Sequence, residues 1–440
     1  MSSETGESQI YETKSGRKIE YTPKHRDFLD STRGEYTNLE AISNYVDSAS
    51  TLVSGGYENI SSDVKDSARD VEWNMSLWAY SHRFAHSCTM LEILKQAPIK
   101  RKFKKMLDLG CGYGVQPAVL RGIGAVDEAY GIDIVDRASA LRSDKLKKLH
   151  KKMRYLRFVD SYIEGLEDKE SEDLSPLQRV IAKKIQTPRQ TVYRSSGIVL
   201  PQTIYNYKMV AEPKLDGFWE MDIFKHEGQY DLITAFSCVE WFDSKELFKK
   251  ISELLAPGGI FYMYVANWWG GNSAVRANGP IPYALQRLNG EDRDQYVNDF
   301  FPGTVEQVHN LYEYYDPGQP TFKDYVESGF EAGMVPVAHR MAAAPMKYSQ
   351  KRGISTFGYA IDDNARFREA LSDIRTFRPD VGPADLVSNM TYLAFMRVDE
   401  NARATSETYD KALKDVNVHY RPTGGLGKLI RNVGMKVLFK

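Results

Sequence analysis

Apolar residues along the chain follow two alternating patterns. Short apolar runs that end in glycine or polar residues predict buried strands, whereas apolar residues repeated every three or four positions predict helices. The clearest predicted strands are 105–109, 129–134, 230–236 and 260–265. The predicted helices are 70–96, 115–121, 138–157, 245–255 and 322–330. Because strands alternate with helices, the pattern predicts a parallel sheet with right-handed crossover connections.

The first predicted strand runs directly into a glycine-rich turn, Asp108-Leu-Gly-Cys-Gly-Tyr-Gly114. Its three glycines can take backbone angles that other residues avoid, and they leave room for a ligand close to the backbone. The helix predicted from residue 115 would place free N–H groups beside the turn. This combination indicates a binding site, although glycines that serve only a tight turn are an alternative interpretation.

The spacing of the turn separates it from the fingerprint of dinucleotide-binding enzymes. The glycines are spaced G-x-G-x-G, whereas the dinucleotide fingerprint is G-x-G-x-x-G. A second acid, Asp133, lies 23 residues after Gly110, near the end of the next predicted strand. A carboxylate at that position can accept both ribose hydroxyls of a bound adenosine. An NAD-dependent enzyme is therefore the weaker interpretation.

The segment 108–114 resembles the first motif of the class I (Rossmann-like) S-adenosylmethionine (SAM)-dependent methyltransferases, and Asp133 matches their ribose-binding acid. A helix, a Leu-x-Pro-Gly-Gly turn and an apolar strand at 245–265 also resemble this family. The resemblance extends over about 105–134, 218–265 and 321–398 and identifies no subfamily.

The resemblance implies an α/β fold. We expect a doubly wound, mostly parallel seven-stranded sheet whose last strand is antiparallel, with helices on both faces. The sheet would be completed by strands within 218–224 and 392–398 and by the strand that ends the helix, glycine-phenylalanine and strand unit of 329–338. An N-terminal helical extension and large insertions are added to the core.

The resemblance also implies the cofactor SAM, with S-adenosyl-L-homocysteine (SAH) as product. No metal is predicted, because the sequence has no clear acidic cluster near the strand ends. Asp222 would meet the adenine amino group, and Met221 or Ile223 would pack against the ring. The expected cofactor-binding residues are Asp108, Gly110, Cys111, Gly112, Gly114, Asp133, Ile134, Met221, Asp222, Ile223 and Ser237. No catalytic residue is assigned, because none of the candidate bases stands out by its spacing; these are Glu240, Asp243, His226, His309 and His339.

Five segments are predicted along the chain. Residues 1–69 form a polar extension, of which the first twenty or so are expected to be disordered or loosely held and the rest helical. The cofactor-binding core covers 70–267, with an insertion at about 138–217, and its end covers 321–398, with an insertion at about 341–388. The insertion at 268–320 is interpreted as a substrate lid or a plain surface insertion.

The tail, 399–440, is charged and then basic and amphipathic. This pattern suits peripheral contact of residues 424–440 with an anionic membrane, and it suits docking on the core or on a partner chain equally well. His82 and His86 lie four residues apart on a predicted helix, but no third ligand is spaced beside them. A metal site there is not expected.

Composition and charge narrow the functional classes. The chain has 440 residues with 58 basic and 59 acidic side chains, a net charge of −1. This neutrality argues against a nucleic-acid substrate. Its three cysteines show no Cys-x-x-Cys pairing, which suits a reducing cytoplasm. The polar N-terminus is not a signal peptide, and no apolar run reaches about 18 residues, so a cytoplasmic protein is predicted.

The leading hypothesis is an enzyme that methylates a heteroatom on a small molecule or on a lipid- or glycan-linked acceptor. A protein or RNA methyltransferase is the alternative, supported only by the lysine-rich run at 145–157. A second alternative is a non-catalytic scaffold subunit with the same fold. The sequence does not predict the methyl acceptor or the oligomeric state.

Overall fold

The protein is described by a computed structural model. The described residues are 8–21, 77–95, 103–164, 207–267, 269, 281, 283–302, 305, 309, 319–342, 364–388 and 390–398. Most of the predicted N-terminal helical extension and the whole basic tail at 399–440 lie outside them. Within the described part of the chain, no helix combines the length and apolar character that a membrane span requires.

Seven strands form the main sheet. They are β3 (Phe103–Leu109), β4 (Val126–Asp133), β5 (Gly217–Glu220), β6 (Tyr230–Phe236), β7 (Leu255–Ala266), β8 (Met334–Ala342) and β9 (Met390–Arg397), in the spatial order β5-β4-β3-β6-β7-β9-β8. The sheet is mostly parallel, with the last strand antiparallel, which confirms the predicted fold class. The strand order reverses between β3 and β6, and ligands of such sheets bind beyond the carboxyl ends of the strands at that point.

The helices alternate with these strands much as the apolar periodicity predicts. They are α1 (Leu77–Leu94), α2 (Val115–Gly122), α3 (Ser143–Glu164), α4 (Ser244–Leu254), α5 (Ala284–Arg287), α6 (Gly290–Phe300), α7 (Phe322–Glu331), α8 (Asn364–Arg375) and α9 (Pro383–Val387). The helix predicted over 138–157 differs at both ends. Residues 138–140 form a separate 3₁₀ turn, extended backbone at Leu141 interrupts it, and α3 then continues to Glu164.

The chain divides into two compact units. The first unit takes Met1–Asp66, Ala235–Glu253 and Tyr262–Phe395, and the second takes Ser67–Thr234, Leu254–Phe261 and Met396–Lys440.

In the second unit, β3 and β4 pair in parallel, with Met106 opposite Ala129, and β5 continues the sheet on the other side of β4. The carboxyl ends of these three strands therefore lie along one edge of the sheet.

The second unit also contains parts of the predicted insertion at 138–217. Helix α3 packs on α1 and buries Leu146, His150 and Met153. Residues 210 and 211 both donate their N–H groups to the carbonyl of Gly122 at the end of α2, at 2.7 and 2.9 Å. Both stretches are thus built into the unit that carries the glycine-rich turn.

The first unit has its own apolar core. Trp269, Tyr283, Phe367, Ala370 and Ile374 are buried together. The indole N–H of Trp269 donates to the carbonyl of Gln319 at 3.2 Å. Trp269 belongs to the predicted lid, and its burial shows that this side chain is a packing residue.

An N-terminal hairpin in the first unit corrects one prediction. Residues 8–21 were expected to be disordered or loosely held, but they form β1 (Gln9–Glu12) and β2 (Lys18–Tyr21). Ile19 is fully buried, and the rings of Tyr11 and Tyr296 of α6 lie 5.5 Å apart, edge to face. The hairpin is too short to show a strong strand pattern, and its order comes from these distant contacts.

Polar contacts reinforce the attachment of the hairpin. Ser15 in the turn donates both its N–H and its hydroxyl to the carboxylate of Asp292, at 2.8 and 2.6 Å. Arg17 pairs with Asp373 of α8, and the same carboxylate pairs with the buried Arg287. The sequence near residues 8–21 does not predict these partners.

Candidate functional site

The glycine-rich turn has the backbone conformation that its sequence predicts. Gly110, Gly112 and Gly114 have φ values of 62°, 53° and 65°, all in the left-handed region that favours glycine. At Gly112 a β-carbon would meet nothing within 4 Å, so the backbone there is open to a ligand. At Gly114 a β-carbon would lie 2.6 Å from Cδ1 of Leu215, so close packing also demands glycine.

Asp133 is bonded directly to this turn. Its Oδ2 accepts the N–H of Gly112 at 2.8 Å, and its Oδ1 accepts the N–H of Val135 at 3.3 Å. The N–H of Cys111 donates to the carbonyl of Ile132 at 3.2 Å. Burial raises the pKa of Asp133, although the bond from Gly112 acts in the opposite direction. The structure therefore brings together Cys111, Gly112 and Asp133 at the ends of β3 and β4.

Asp108 lies near the end of β3, just before the glycine-rich turn. Its carboxylate is buried and its Oδ1 accepts the hydroxyl of Thr234 at 2.5 Å. Burial and, to a smaller extent, the nearby charge of Asp133 raise the pKa of Asp108 to about 7, against the hydrogen bond from Thr234. The protonation state of Asp108, an expected cofactor residue, therefore depends on burial and on the groups around it.

Arg83 is a residue of this region that the sequence reasoning missed. It lies on α1, and its Nη1 atom is buried. Burial lowers the pKa of its guanidinium to about 10, while the charges of Asp108 and Tyr113 raise it. Arg83 is therefore a cation whose charge interacts with Asp108 and with Tyr113 of the glycine-rich turn. Its position next to the apolar face that includes Tyr80 and Phe84 is the one sequence signal that could have drawn attention to it.

The loop after β5 adds three of the expected residues. The N–H of Met221 donates to the carbonyl of Asp133 at 2.9 Å, which ties this loop to the end of β4. Asp222 begins the 3₁₀ turn Ile223–Lys225, and its carboxylate accepts the N–H of Phe224 at 3.0 Å. Ile223 is buried and Ile134 is half-buried. The loop is therefore fixed by backbone bonds, and the adenine contact of Asp222 stays a prediction.

Ser237 and Glu240 belong to the first unit and follow the end of β6. Ser237 has a φ of 55°, and its N–H donates to the carbonyl of Tyr264 at 2.8 Å. Glu240 is in the 3₁₀ turn Val239–Trp241, and its Oε2 is buried without a hydrogen-bond partner in the described part of the chain. Burial raises the pKa of Glu240 to about 7. The cofactor role of Ser237 stays a prediction.

The other four candidate bases have structural contacts. The carboxylate of Asp243 accepts the N–H of Glu246 at 2.9 Å at the start of α4. His226 is buried with its Nε2 2.8 Å from the hydroxyl of Tyr230. His309 Nδ1 lies 3.7 Å from Asp294, and the ring of His339 lies 5.7 Å from that of Phe322. Among the five candidates, Glu240 alone combines a buried carboxyl oxygen with the absence of a described partner.

The donor set suits a nucleoside better than a metal. Over the described ranges, no group of three or more His, Cys, Asp or Glu side chains is placed to hold a metal ion. The Asp133 carboxylate accepts the N–H groups of Gly112 and Val135, and a carboxylate has about four lone-pair sites, which leaves capacity for a hydroxyl. An open glycine backbone beside that carboxylate fits a ribose with a flexible chain attached.

Comparison with protein families gives one match. Residues 80–289 match the family model Methyltransf_23, described as a methyltransferase domain. The matched range includes the glycine-rich turn, Asp133 and the strands β3 to β7. It confirms the resemblance seen in the sequence. No curated protein matches the chain in sequence.

Solved structures give weaker likenesses. A phosphoethanolamine N-methyltransferase 2 of Haemonchus contortus in complex with SAM has 13% identity and a TM-score of 0.32, covering 70% of this chain and 52% of that one. A geranyl diphosphate C-methyltransferase of Streptomyces coelicolor A3(2), bound to Mg²⁺, geranyl diphosphate and SAH, has 11% identity and a TM-score of 0.32, covering 71% and 79%. A magnesium protoporphyrin IX methyltransferase of Synechocystis PCC 6803 with bound SAH has 10% identity and a TM-score of 0.31, covering 79% and 97%. The chain spans about half the length of the first of these. At these TM-scores the three acceptors carry no argument about this chain.

Proposed function

We propose that this chain transfers a methyl group from SAM to a heteroatom, because residues 80–289 match the family model of a methyltransferase domain. The proposed acceptor is a small molecule or a lipid- or glycan-linked group. The observation that supports the cofactor assignment is the bond between the Asp133 carboxylate and the Gly112 N–H, because it joins the acid that would accept the ribose hydroxyls to an open glycine turn.

The chain's own residues divide the work of holding SAM. Asp133 would accept the ribose hydroxyls, and the backbone from Gly110 to Gly114 would lie along the methionine part. Met221 and Ile223 would pack against the adenine, and Asp222 would accept its amino group. When bound, SAM supplies a methyl group that its sulfonium has already activated, so the protein contributes mainly position and a dry environment.

Charge supports a small or lipid- or glycan-linked acceptor. The net charge of −1 gives no overall attraction to polyanions. In the lysine-rich run, Lys147 lies 3.7 Å from Glu212 and Lys148 lies 3.8 Å from Asp144. Met153 of the same helix is buried. Part of the lysine-rich run on α3 therefore takes part in packing and local ion pairs, which weakens the support for an RNA-binding surface.

Calorimetric titration of the full chain with SAM, SAH and NAD tests the cofactor. We expect SAM and SAH to bind and NAD not to compete. Asp133→Ala should weaken SAM binding about a hundredfold, because a carboxylate that accepts two hydroxyls is lost. The matched control is Asp136→Asn, which changes an exposed acid three residues away and should leave the affinity unchanged. Equal affinities of wild type and Asp133→Ala would overturn the assignment.

The acceptor class is tested with labelled SAM and three sets of acceptors: small-molecule and lipid or glycan extracts, protein, and RNA. Label in the first set supports the proposal. Label in protein or RNA, together with nucleic-acid binding that weakens steeply with salt for the RNA case, would establish the alternative.

A further inference from the structure

Two buried polar atoms of the first unit have no hydrogen-bond partner in the described part of the chain. They are Oε2 of Glu240, in the 3₁₀ turn after β6, and the hydroxyl oxygen of Tyr262 on β7. Burying an oxygen without a partner destabilises a fold, and burying a carboxylate does so more strongly. Such atoms are rare in folded proteins, and a role in binding or catalysis is one reason for them to be kept.

Tyr262 belongs to a group of three tyrosines. Tyr262 and Tyr264 are two positions apart on β7 and therefore point to the same face of the sheet. Tyr392 is on the adjacent strand β9, and its ring lies 5.1 Å from that of Tyr264. Burial raises the pKa of Tyr262, and the nearby hydroxyls of Tyr392 and Tyr264 raise it further. These three residues, which we call the tyrosine cluster, therefore lie together.

The carboxyl of Glu240 lies beside the tyrosine cluster. Burial raises the pKa of Tyr264, and the charges of Tyr392 and Glu240 raise it further. The N–H of Ser237 donates to the carbonyl of Tyr264 at 2.8 Å, which ties the segment that carries Glu240 to β7. Burial raises the pKa of Glu240 to about 7, so that about half of this carboxyl is ionised at neutral pH.

The charges around the tyrosine cluster favour a cation at the end next to Glu240. Arg340 of β8 acts on the other members, because its charge lowers the pKa values of Tyr262 and Tyr392 against the larger effect of burial. Glu240 acts on Tyr264. A carboxylate binds an ammonium through charge-assisted hydrogen bonds, and the face of a tyrosine ring also attracts a cation.

We propose that Glu240 and the tyrosine cluster bind the amine of the methyl acceptor, and that the acceptor is a small molecule with a primary or secondary ammonium group. This inference rests on the proposed function, because it narrows the acceptor class of the same enzyme. The ammonium would donate to Oε2 of Glu240 and lie against the ring of Tyr264. The hydroxyl of Tyr262 would offer the acceptor a second hydrogen bond.

A purely structural Glu240 makes a different prediction. If the acid is only a buried group of the fold, its replacement changes the binding of amines and of alcohols alike, or of neither. If it binds an ammonium, its replacement weakens only the amines. Amines and alcohols with the same carbon skeleton separate the two roles. Three such pairs are propylamine and 1-propanol, benzylamine and benzyl alcohol, and 2-phenylethylamine and 2-phenylethanol.

The experiment is saturation-transfer NMR titration of the full chain with these six compounds at pH 8, above the pKa of Glu240. The wild type should bind at least one amine about tenfold or more tightly than the matching alcohol. In Glu240→Gln we expect the affinity for that amine to fall by about ten- to a hundredfold, the range typical of a lost charged hydrogen bond, with the alcohol changed less than about threefold. The control is Glu246→Gln, an exposed acid on α4, which should change neither affinity.

A pair of substitutions at Tyr264 tests the ring separately from the hydroxyl. Tyr264→Leu removes the ring and should weaken the amine by about threefold or more, because the cation loses an aromatic face. Tyr264→Phe keeps the ring and should retain most of the affinity. Circular dichroism of each variant checks that it folds.

The outcomes separate the two levels of inference. If the wild type prefers none of the three amines, or if Glu240→Gln weakens amine and alcohol equally or not at all, the amine site is overturned and the proposed function stands. Should Glu240→Gln fail to fold, Glu240→Asp decides, with a selective loss of amine affinity supporting the proposal. If SAM does not bind in the titration with SAM, SAH and NAD, the proposed function itself fails, whatever the amines do.

Discussion

Two segments that follow sheet strands use opposite means to hold an unusual backbone and an acid. After β3, three glycines take positive φ angles without strain, and the acid that serves them, Asp133, is held by backbone N–H groups. After β6, a serine takes a φ of 55°, and the acid, Glu240, has a buried oxygen with no described partner. The first segment is ordered without backbone strain, and the second stores conformational and electrostatic free energy.

The comparison teaches where each segment is vulnerable. An added side chain should destabilise the glycine-rich turn, because its glycines have positive φ angles and Gly114 leaves no room for a β-carbon. At the segment after β6, the contribution to stability should depend on pH, and the protein should become more stable when the backbone strain at Ser237 is relieved. Substitutions at four positions test this difference, from the largest expected effect to the smallest.

Gly114→Ala should have the largest effect on stability. The added β-carbon would lie 2.6 Å from Leu215 Cδ1, at a φ of 65°, and overpacking together with left-handed strain should cost about 2–4 kcal/mol of unfolding free energy. Urea denaturation measures it. The control is Gly258→Ala, which has a φ of 71° and nothing within 4 Å, and should cost only about 1 kcal/mol. Equal costs would show that packing against Leu215 contributes nothing.

Glu240→Gln should change the pH dependence of stability. Burial raises the folded-state pKa of Glu240 to about 7 from its ordinary 4.5. The native state therefore holds the proton more tightly than the unfolded state, and the stability contributed by the protonated carboxyl is complete below pH 4.5 and lost as pH rises through 7. The variant lacks this loss, so between pH 5 and pH 8.5 it should gain up to about 3 kcal/mol relative to wild type.

Denaturant midpoints at several pH values measure this gain. Glu246→Gln, an exposed acid on α4, is the control and should show no comparable trend. A difference between wild type and Glu240→Gln that is the same at pH 5 and pH 8.5 would contradict the buried, proton-holding carboxyl.

Gly112→Ala should separate binding from stability. The β-carbon would meet nothing within 4 Å, so only left-handed strain of about 1 kcal/mol is expected in the free protein. The same atom would occupy the space that we propose for the cofactor, and SAM affinity should then fall at least about tenfold. Titration and denaturation of the same preparation measure both effects. An unchanged affinity would mean that no ligand approaches this backbone.

Ser237→Gly and Ser237→Ala should give the smallest effect. Both remove the hydroxyl, which bonds to Tyr264, so their difference reports only the backbone angle of 55°. The glycine variant should be the more stable by about 1 kcal/mol. Thermal unfolding of the pair measures this difference, and equal melting temperatures would show that the backbone relaxes at residue 237.

Features of the site that depend on residues close in sequence could be predicted, and features that depend on distant residues could not. The turn at 110–114, its positive φ angles and its partner Asp133 could be predicted from glycine spacing and one acid. Arg83 could not, because the groups whose charges act on it, Asp108 and Tyr113, belong to β3 and the glycine-rich turn and not to its own helix. The same holds for the hairpin at 8–21, whose partners Asp292 and Asp373 lie far along the chain.

By itself the sequence determined the alternation of strands and helices, the α/β class and the conformation of the glycine-rich turn, because these depend on local periodicity and on the backbone angles open to glycine. Only the tertiary structure decided which acids are buried, which cation stands beside Asp108 and where the N-terminal residues pack. Burial and charge interactions depend on neighbours in space, and a single amino-acid sequence does not show which distant residues become neighbours.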